Sequence, residues 1–137
     1  MLSRSLAHLS ETILCVEDEA MTRTHLVRIL QDRFPQVLMA RDGQEGLELF
    51  RQHRPGLVIT DIRMPRRSGI DMARVIRAEA PEVKIIVLTS YGSADLLLAA
   101  IEIGVTDYIL KPLAHDAVMA KLDNIGASIL IERASRH

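Results

Sequence analysis

Five short apolar runs, at residues 13–16, 37–40, 57–60, 85–88 and 108–110, recur along the chain, each followed by a segment with helical spacing. The apolar side chains are contiguous within each run. That pattern fits strands buried on both faces, as in a parallel sheet, better than strands with one wet face. In the intervening segments Leu26, Leu30 and Phe34 share one helical face, as do Leu47 and Phe50, then Ile70, Ala73 and Ile76, then Leu97 and Ile101. Pro35, Pro55 and Pro81 each fall between a helical segment and the next run, where a helix has to have stopped, and Gly104 follows the fourth helix as a C-terminal glycine does. The order is strand–helix, repeated five times. It predicts an α/β fold, a doubly wound five-stranded parallel sheet with right-handed crossovers and helices on both faces. With 137 residues the chain is of a size for one such domain.

In a parallel sheet every strand ends on the same edge, and ligands bind there near the point where the strand order reverses. Glu17 and Asp18 follow the first run, Asp61 the third, Thr89 and Ser90 the fourth, and Lys111 and Pro112 the fifth. Arg41 and Asp42 follow the second, before a turn expected at Gly43, and receive no role. Three carboxylates, hydroxyls and one ammonium therefore converge on one rim. Clustered carboxylates raise one another's pKa unless a cation compensates them. The donors are all oxygens, with no His or Cys among them, which points to Mg²⁺, or Mn²⁺, rather than zinc. Mg²⁺ takes one or two carboxylates and completes its shell with water and phosphate oxygen. Lys111 would meet a second phosphate oxygen as a point charge and Thr89 would donate to a third. A carboxylate can itself take the phosphoryl group, and Asp61, at the end of the central strand, is the candidate.

Composition narrows the function classes. Seventeen Lys and Arg against eighteen Asp and Glu give a net charge of −1, so nothing argues for direct nucleic-acid binding. The single cysteine, Cys15, lies in an apolar run and reads as a small buried hydrophobe. The N-terminal stretch 1–11 is interrupted by Ser, Arg and His and is not a secretion signal; the longest apolar stretch, 96–101, is far short of the about 20 residues a bilayer needs. A cytoplasmic protein without a membrane span is the expectation.

The segment Asp61-Ile62-Arg63-Met64-Pro65, followed by Gly69 and Asp71, resembles the phosphoacceptor loop of response-regulator receiver domains. Glu17-Asp18, Thr89-Ser90 and Lys111-Pro112 match that family's other motifs in order and spacing, and the resemblance runs from about Thr12 to Ile125. It implies a flavodoxin-like strand order 2-1-3-4-5 and a phosphoryl group accepted on Asp61 from a histidine kinase, a phosphotransfer protein or a small acyl phosphate. By the same resemblance Asp18 binds Mg²⁺ directly and Glu17 helps to hold it through water, while Asp61 and the backbone carbonyl of Arg63 complete the protein ligands. Thr89, Ser90 and Lys111 would contact the phosphoryl oxygens or take part in switching. Tyr108 would be the aromatic switch residue, turning inward as the hydroxyl of Thr89 swings toward the phosphoryl group, and Lys111–Pro112 would be a cis peptide bond. Glu17 stands where Asp is commoner. Arg63 and Tyr91 occupy positions that tune phosphoryl lifetime in the family, and bulky Tyr91 would screen the group from water.

Two alternatives use overlapping residues. A haloacid-dehalogenase-like phosphatase also needs an Asp nucleophile and Mg²⁺, but it places a second acid two residues later, where this chain has Arg63. A phosphorylation-independent pseudo-receiver would have lost an acid, the Thr or the Lys, and all are present. No Gly-rich phosphate loop follows the first strand, against a nucleotide-binding enzyme. The chain is therefore read as a phosphoacceptor, not an enzyme, whose only catalysis is its own phosphotransfer and autodephosphorylation.

Outside the rim, the five histidines show no ligand spacing and the methionines are scattered core or surface residues. Arg66-Arg67 reads as a solvated loop. The fourth helix, about 93–103, is apolar on nearly every side, so it is either deeply packed or a partner surface. The second reading makes the fourth helix, fifth strand and fifth helix a homodimer or partner face. From Ala114 an apolar stripe runs through Val118, Leu122, Ile125 and Ile129 at spacings of four, three and four. Residues 12–125 are expected to form the receiver domain after an extension at 1–11, with 126–137 continuing the last helix; this is either a stand-alone receiver or, the favoured reading, one whose last helix is a linker to an output domain.

Overall fold

The computed structural model describes residues 12–63, 68–90 and 94–135, with side chains as far as 125. The strands are β1 (Thr12–Val16), β2 (Gln36–Ala40), β3 (Leu57–Asp61), β4 (Lys84–Thr89) and β5 (Asp107–Leu110). They alternate with helices α1 (Ala20–Gln31), α2 (Gly43–His53), α3 (Gly69–Glu79), α4 (Ala94–Ile103) and α5 (His115–Ser135). All strand pairs are parallel and the sheet order is β2-β1-β3-β4-β5. The expected architecture is present, with each strand within one residue of the apolar run that marks it.

Contiguous apolar strands are needed because the two-residue side-chain period feeds two cores at once. From β1, Leu14 and Val16 enter a core with Val58, Ile85 and Val87, covered by Leu47 and Phe50 of α2, Met72 and Ile76 of α3 and Ala100 of α4. Ile13 and Cys15 enter the opposite core with Ile59, Ile86 and Leu88, covered by Leu26 and Leu30 of α1 and Val118, Leu122 and Ile125 of α5. Three helices therefore cover one face and two the other. Burial of each such side chain contributes about 1.5–3 kcal/mol, so the two faces are a strong constraint on register.

The differences from the sequence reading lie at helix ends. Phe34 is not on α1, which stops at Gln31. Pro35 disfavours helical backbone at the residue before it, yet the Phe34 ring is only 7% exposed and completes the α1–α5 core from beyond the helix. Gly43 is not a turn but the first residue of α2, and Asp42 has a role as its N-cap, its carboxylate accepting from Glu45 N–H at 2.9 Å. Gly104 does close α4, with φ +90°. Of α4 itself only Ala100 is buried, so the helix is not deeply packed. Ile129, on the stripe of α5, lies outside the described side chains. Among the described residues no helix is long and apolar enough to cross a membrane.

Asp42→Ala should lower the free energy of urea unfolding by about 1 kcal/mol, the usual cost of losing an N-cap, whereas Asp42→Asn should recover most of it.

Candidate functional site

Parallel pairing carries the ends of β1, β3, β4 and β5 to one edge, and ladder hydrogen bonds continue just past them. Glu17 N–H donates to Ala40 O at 3.0 Å, Ile62 N–H to Leu88 O at 3.1 Å and Lys111 N–H to Thr89 O at 2.7 Å. The backbone on either side of the notch is thus held by the sheet rather than by loops. Lys111 and Pro112 are joined by a cis peptide bond.

Lys111 Nζ lies 2.7 Å from Glu17 Oε1 and 2.9 Å from Asp61 Oδ2, bridging β1 and β3 from β5. Asp18 joins them: one carboxylate oxygen each from Glu17, Asp18 and Asp61 lie within 4.8 Å of one another. Glu17 is wholly buried, Asp61 is 8% exposed, and Asp18 faces solvent. Burial pushes the Glu17 carboxyl up to about 7; the hydrogen bond from Lys111 pulls it down, and the neighbouring Asp61 charge adds to the rise. For Lys111 burial opposes the charge, but its bonds to Glu17 and Asp61 outweigh that and hold the ammonium above its ordinary pKa. One ammonium faces three carboxyl groups, which leaves an excess of negative charge when all three are ionised. A divalent cation would balance that excess, and a donor set made only of hard oxygens, with one member open to water, suits Mg²⁺.

Two residues that the sequence reading left without a special part shape the notch. Arg23 of α1 donates from Nη1 to Glu17 O at 2.9 Å and to Asp18 O at 3.4 Å, fixing the backbone of the acidic pair. Gly69, noted only as part of a motif, opens α3 directly beneath the backbone of Asp61 and Ile62. A Cβ there would stand 1.9 Å from the Asp61 carbonyl oxygen and 3.2 Å from Ile62 Cα. Ser68, the N-cap of α3, accepts from Asp71 N–H at 3.2 Å and sets where that helix begins. The Ser-x-x-Asp spacing was visible in the sequence as a cap signal, whereas nothing in it marks Arg23.

The other predicted residues occupy the same edge with looser contacts. Arg63 N–H points to Asp61 Oδ1 at 3.4 Å. Thr89 is buried at the end of β4, its hydroxyl donating to Ser90 O at 3.4 Å, while Ser90 is exposed. Tyr108, on β5, is 44% exposed and its ring lies beside Lys121 of α5. Tyr91, Arg66 and Arg67 fall outside the described residues. Cys15 is no nucleophile: burial, then the Glu17 charge, raise its thiol to about 12.

The chain matches the response regulator receiver domain family over residues 13–123. It is 40% identical over 126 residues to an uncharacterized response regulatory protein of Staphylococcus epidermidis, covering 90% of this chain and 47% of that protein. It is 35% identical over 127 residues to the transcriptional regulatory protein HptR of Staphylococcus aureus, covering 90% of this chain and 49% of that one. The chain thus spans about half the length of the curated relatives it matches. Among solved structures, the N-terminal domain of an uncharacterized protein from Wolinella succinogenes superposes with a TM-score of 0.81 at 35% identity, covering 90% and 98% of the two chains. A response regulator receiver domain protein from Clostridium thermocellum gives 0.79 at 29% identity, covering 90% and 97%.

Two outcomes follow from this geometry. Gly69→Ala should destabilise the fold by about 2 kcal/mol, since backbone and not a flexible side chain must move, and should weaken Mg²⁺ binding measured by calorimetry. The Glu17 carboxyl has a folded-state pKa raised from 4.5 to about 7, so its contribution to stability is fully present below the unfolded value and lost as pH rises through about 7. The melting temperature of the metal-free protein should therefore fall as pH rises from about 4.5 to about 7 and level off above that, the fall should be smaller in Glu17→Gln, and Mg²⁺ should raise the melting temperature more at the upper end of that range.

Proposed function

The chain belongs to the response regulator receiver domain family of two-component signalling, and on that premise we propose that it is a phosphoacceptor switch whose acceptor is Asp61. The observation that carries this reading is the Lys111 bridge between Glu17 and Asp61 beside a third carboxylate, Asp18. Asp61 Oδ attacks the phosphorus of a phosphohistidine on a kinase or phosphotransfer protein, or of a small acyl phosphate. The new bond is O–P. The bond that breaks is P–N, or P–O in the acyl phosphate, and its electron pair leaves with the donor. Lys111, already 2.9 Å from the Asp61 carboxylate, stays within reach to hold an incoming phosphoryl oxygen by charge. The Thr89 hydroxyl, with only a long bond to Ser90 O to give up, turns to donate to another. Glu17, Asp18, Asp61 and the Arg63 carbonyl would hold Mg²⁺, which neutralises phosphoryl charge when bound.

The response is read on the α4–β5–α5 face. Leu98 and Ile101 of α4 are 62% and 61% exposed, and Leu110 of β5 is 49% exposed. Exposed apolar side chains on neighbouring elements support a face for a partner or a second copy of the chain. A groove of about 650 Å³ between α1 and the loop after β5, lined by Met21, Thr22, His25, Lys111, Pro112 and Leu113, gives the donor protein a way to the notch. Residues 126–137 are read as the lead into an output module, in keeping with the greater length of the relatives, HptR being a transcriptional regulator. The reading places the protein in the cytoplasm with its kinase.

Incubation with acetyl phosphate and Mg²⁺ should add the mass of one phosphoryl group, with no addition in Asp61→Asn and none when Mg²⁺ is chelated. A gain that persists in Asp61→Asn would overturn the assignment. Lys111→Ala should lower the yield at least tenfold, the scale of losing one charged contact to the transition state.

A further inference from the structure

Tyr108 lies three residues before Lys111 on β5. A half-exposed ring on an edge strand can exchange between staggered settings of χ1 unless a neighbour holds it. The neighbour here comes from α5. Lys121 Nζ stands 5.3 Å from the centroid of the Tyr108 ring, within the range of a cation–π contact. The same ammonium is 2.9 Å from Asp107 Oδ1, and that oxygen also accepts the Tyr108 backbone N–H at 2.8 Å. One carboxylate oxygen thus ties the backbone of the tyrosine to the cation that covers its ring. The base of the lysine is equally fixed, because Val118 and Leu122 on either side of it along α5 are 0% and 4% exposed in the core. A lysine pinned at both its stem and its head is not a freely solvated charge.

We propose that Lys121 is a positioning residue, a latch that holds the Tyr108 ring in its outward setting and so opposes the inward turn of the switch. The inference rests on the phosphoacceptor reading above. Turning the ring inward breaks the contact between cation and ring, so the latch biases a two-state equilibrium toward the unphosphorylated arrangement. A contact of this kind at a partly exposed site shifts such an equilibrium by about twofold to fivefold. The apparent affinity of a ligand that needs the minor state scales with that state's population. Releasing the latch therefore tightens such a ligand by the same factor.

The test uses beryllofluoride with Mg²⁺ as the phosphoryl mimic, on protein labelled with 3-fluorotyrosine. The chain has two tyrosines and no tryptophan, and Tyr108→Phe assigns the two fluorine resonances. In Lys121→Met, beryllofluoride should bind about twofold to fivefold tighter, and the Tyr108 resonance before addition should move toward its liganded position. Lys121→Arg keeps a cation over the ring and should behave as the unsubstituted protein. Unchanged affinity together with an unmoved resonance in Lys121→Met overturns the latch. So does a Lys121→Arg protein that behaves like Lys121→Met, because the ring contact is then not what matters. If the unsubstituted protein itself does not take up beryllofluoride, the phosphoacceptor reading falls, and the latch with it.

Discussion

The ammonium of Lys111 is what makes the acidic edge of this sheet habitable. Glu17 has no contact with solvent, and removing a carboxylate from water is costly unless a partner replaces the lost hydration. Lys111 supplies that partner and reaches Asp61 with the same nitrogen. Both carboxylates hang from central strands whose backbones are fixed on two sides, so neither can retreat from the other. Repulsion between them is therefore built into the fold and held in check by one charge from an edge strand. The arrangement is under-compensated, and that shortfall makes the notch attractive to a further cation and then to a charged group carried with it.

The topology explains why these groups meet. Glu17 follows β1 and Asp61 ends β3, strands that pair directly, with Val16 opposite Thr60. Lys111 comes from β5, two strands away from β3, and spans the gap because a lysine is long and β4 ends in a threonine instead of a bulky residue. Shape matters as much as charge beneath the loop. Gly69 lets α3 begin in contact with the Asp61 carbonyl, where a methyl group would overlap it. The backbone at Asp61 and Ile62 is thereby supported from below by backbone, which has no rotamer to change.

Much of this was legible in the sequence because it depends on short-range periodicity. Apolar runs mark strands that face two cores, prolines mark the ends of helices, and the residue after each run is the residue on the rim. What was not legible depends on contacts that periodicity does not encode. Phe34 keeps the spacing of α1 while lying beyond its end, because a side chain can fill a core from a turn as well as from a helix. Asp42 looked idle after β2 and caps α2, although its position before Gly43 with Glu45 three residues on was a readable sign. Arg23 and Lys121 act through pairings with carbonyls, a carboxylate and a ring on other elements, and no local pattern announces them. The composition of α4 was equally compatible with deep burial and with exposure. Only its packing, in which Ala100 alone is buried, decides between them.

That sparse packing gives α4 unequal ends. Its C-terminal end is tied to the body of the domain, since Arg77 of α3 donates to Gly104 O at 2.9 Å and also to Pro81 O and Val83 O. Burial draws the Arg77 guanidinium below its ordinary pKa, and its N–H groups donate to three carbonyls in place of water. Along the rest of α4 the leucines are half-buried or exposed, which puts the helix at the weakly held end of the range of local stabilities. A helix anchored at one end and lightly packed along its length can pivot without unfolding the core. Leu96, Leu97, Ala99 and Ile103 keep partial contact with the core, so such a movement would trade a few side-chain contacts along α4 for others while the sheet beneath stays intact.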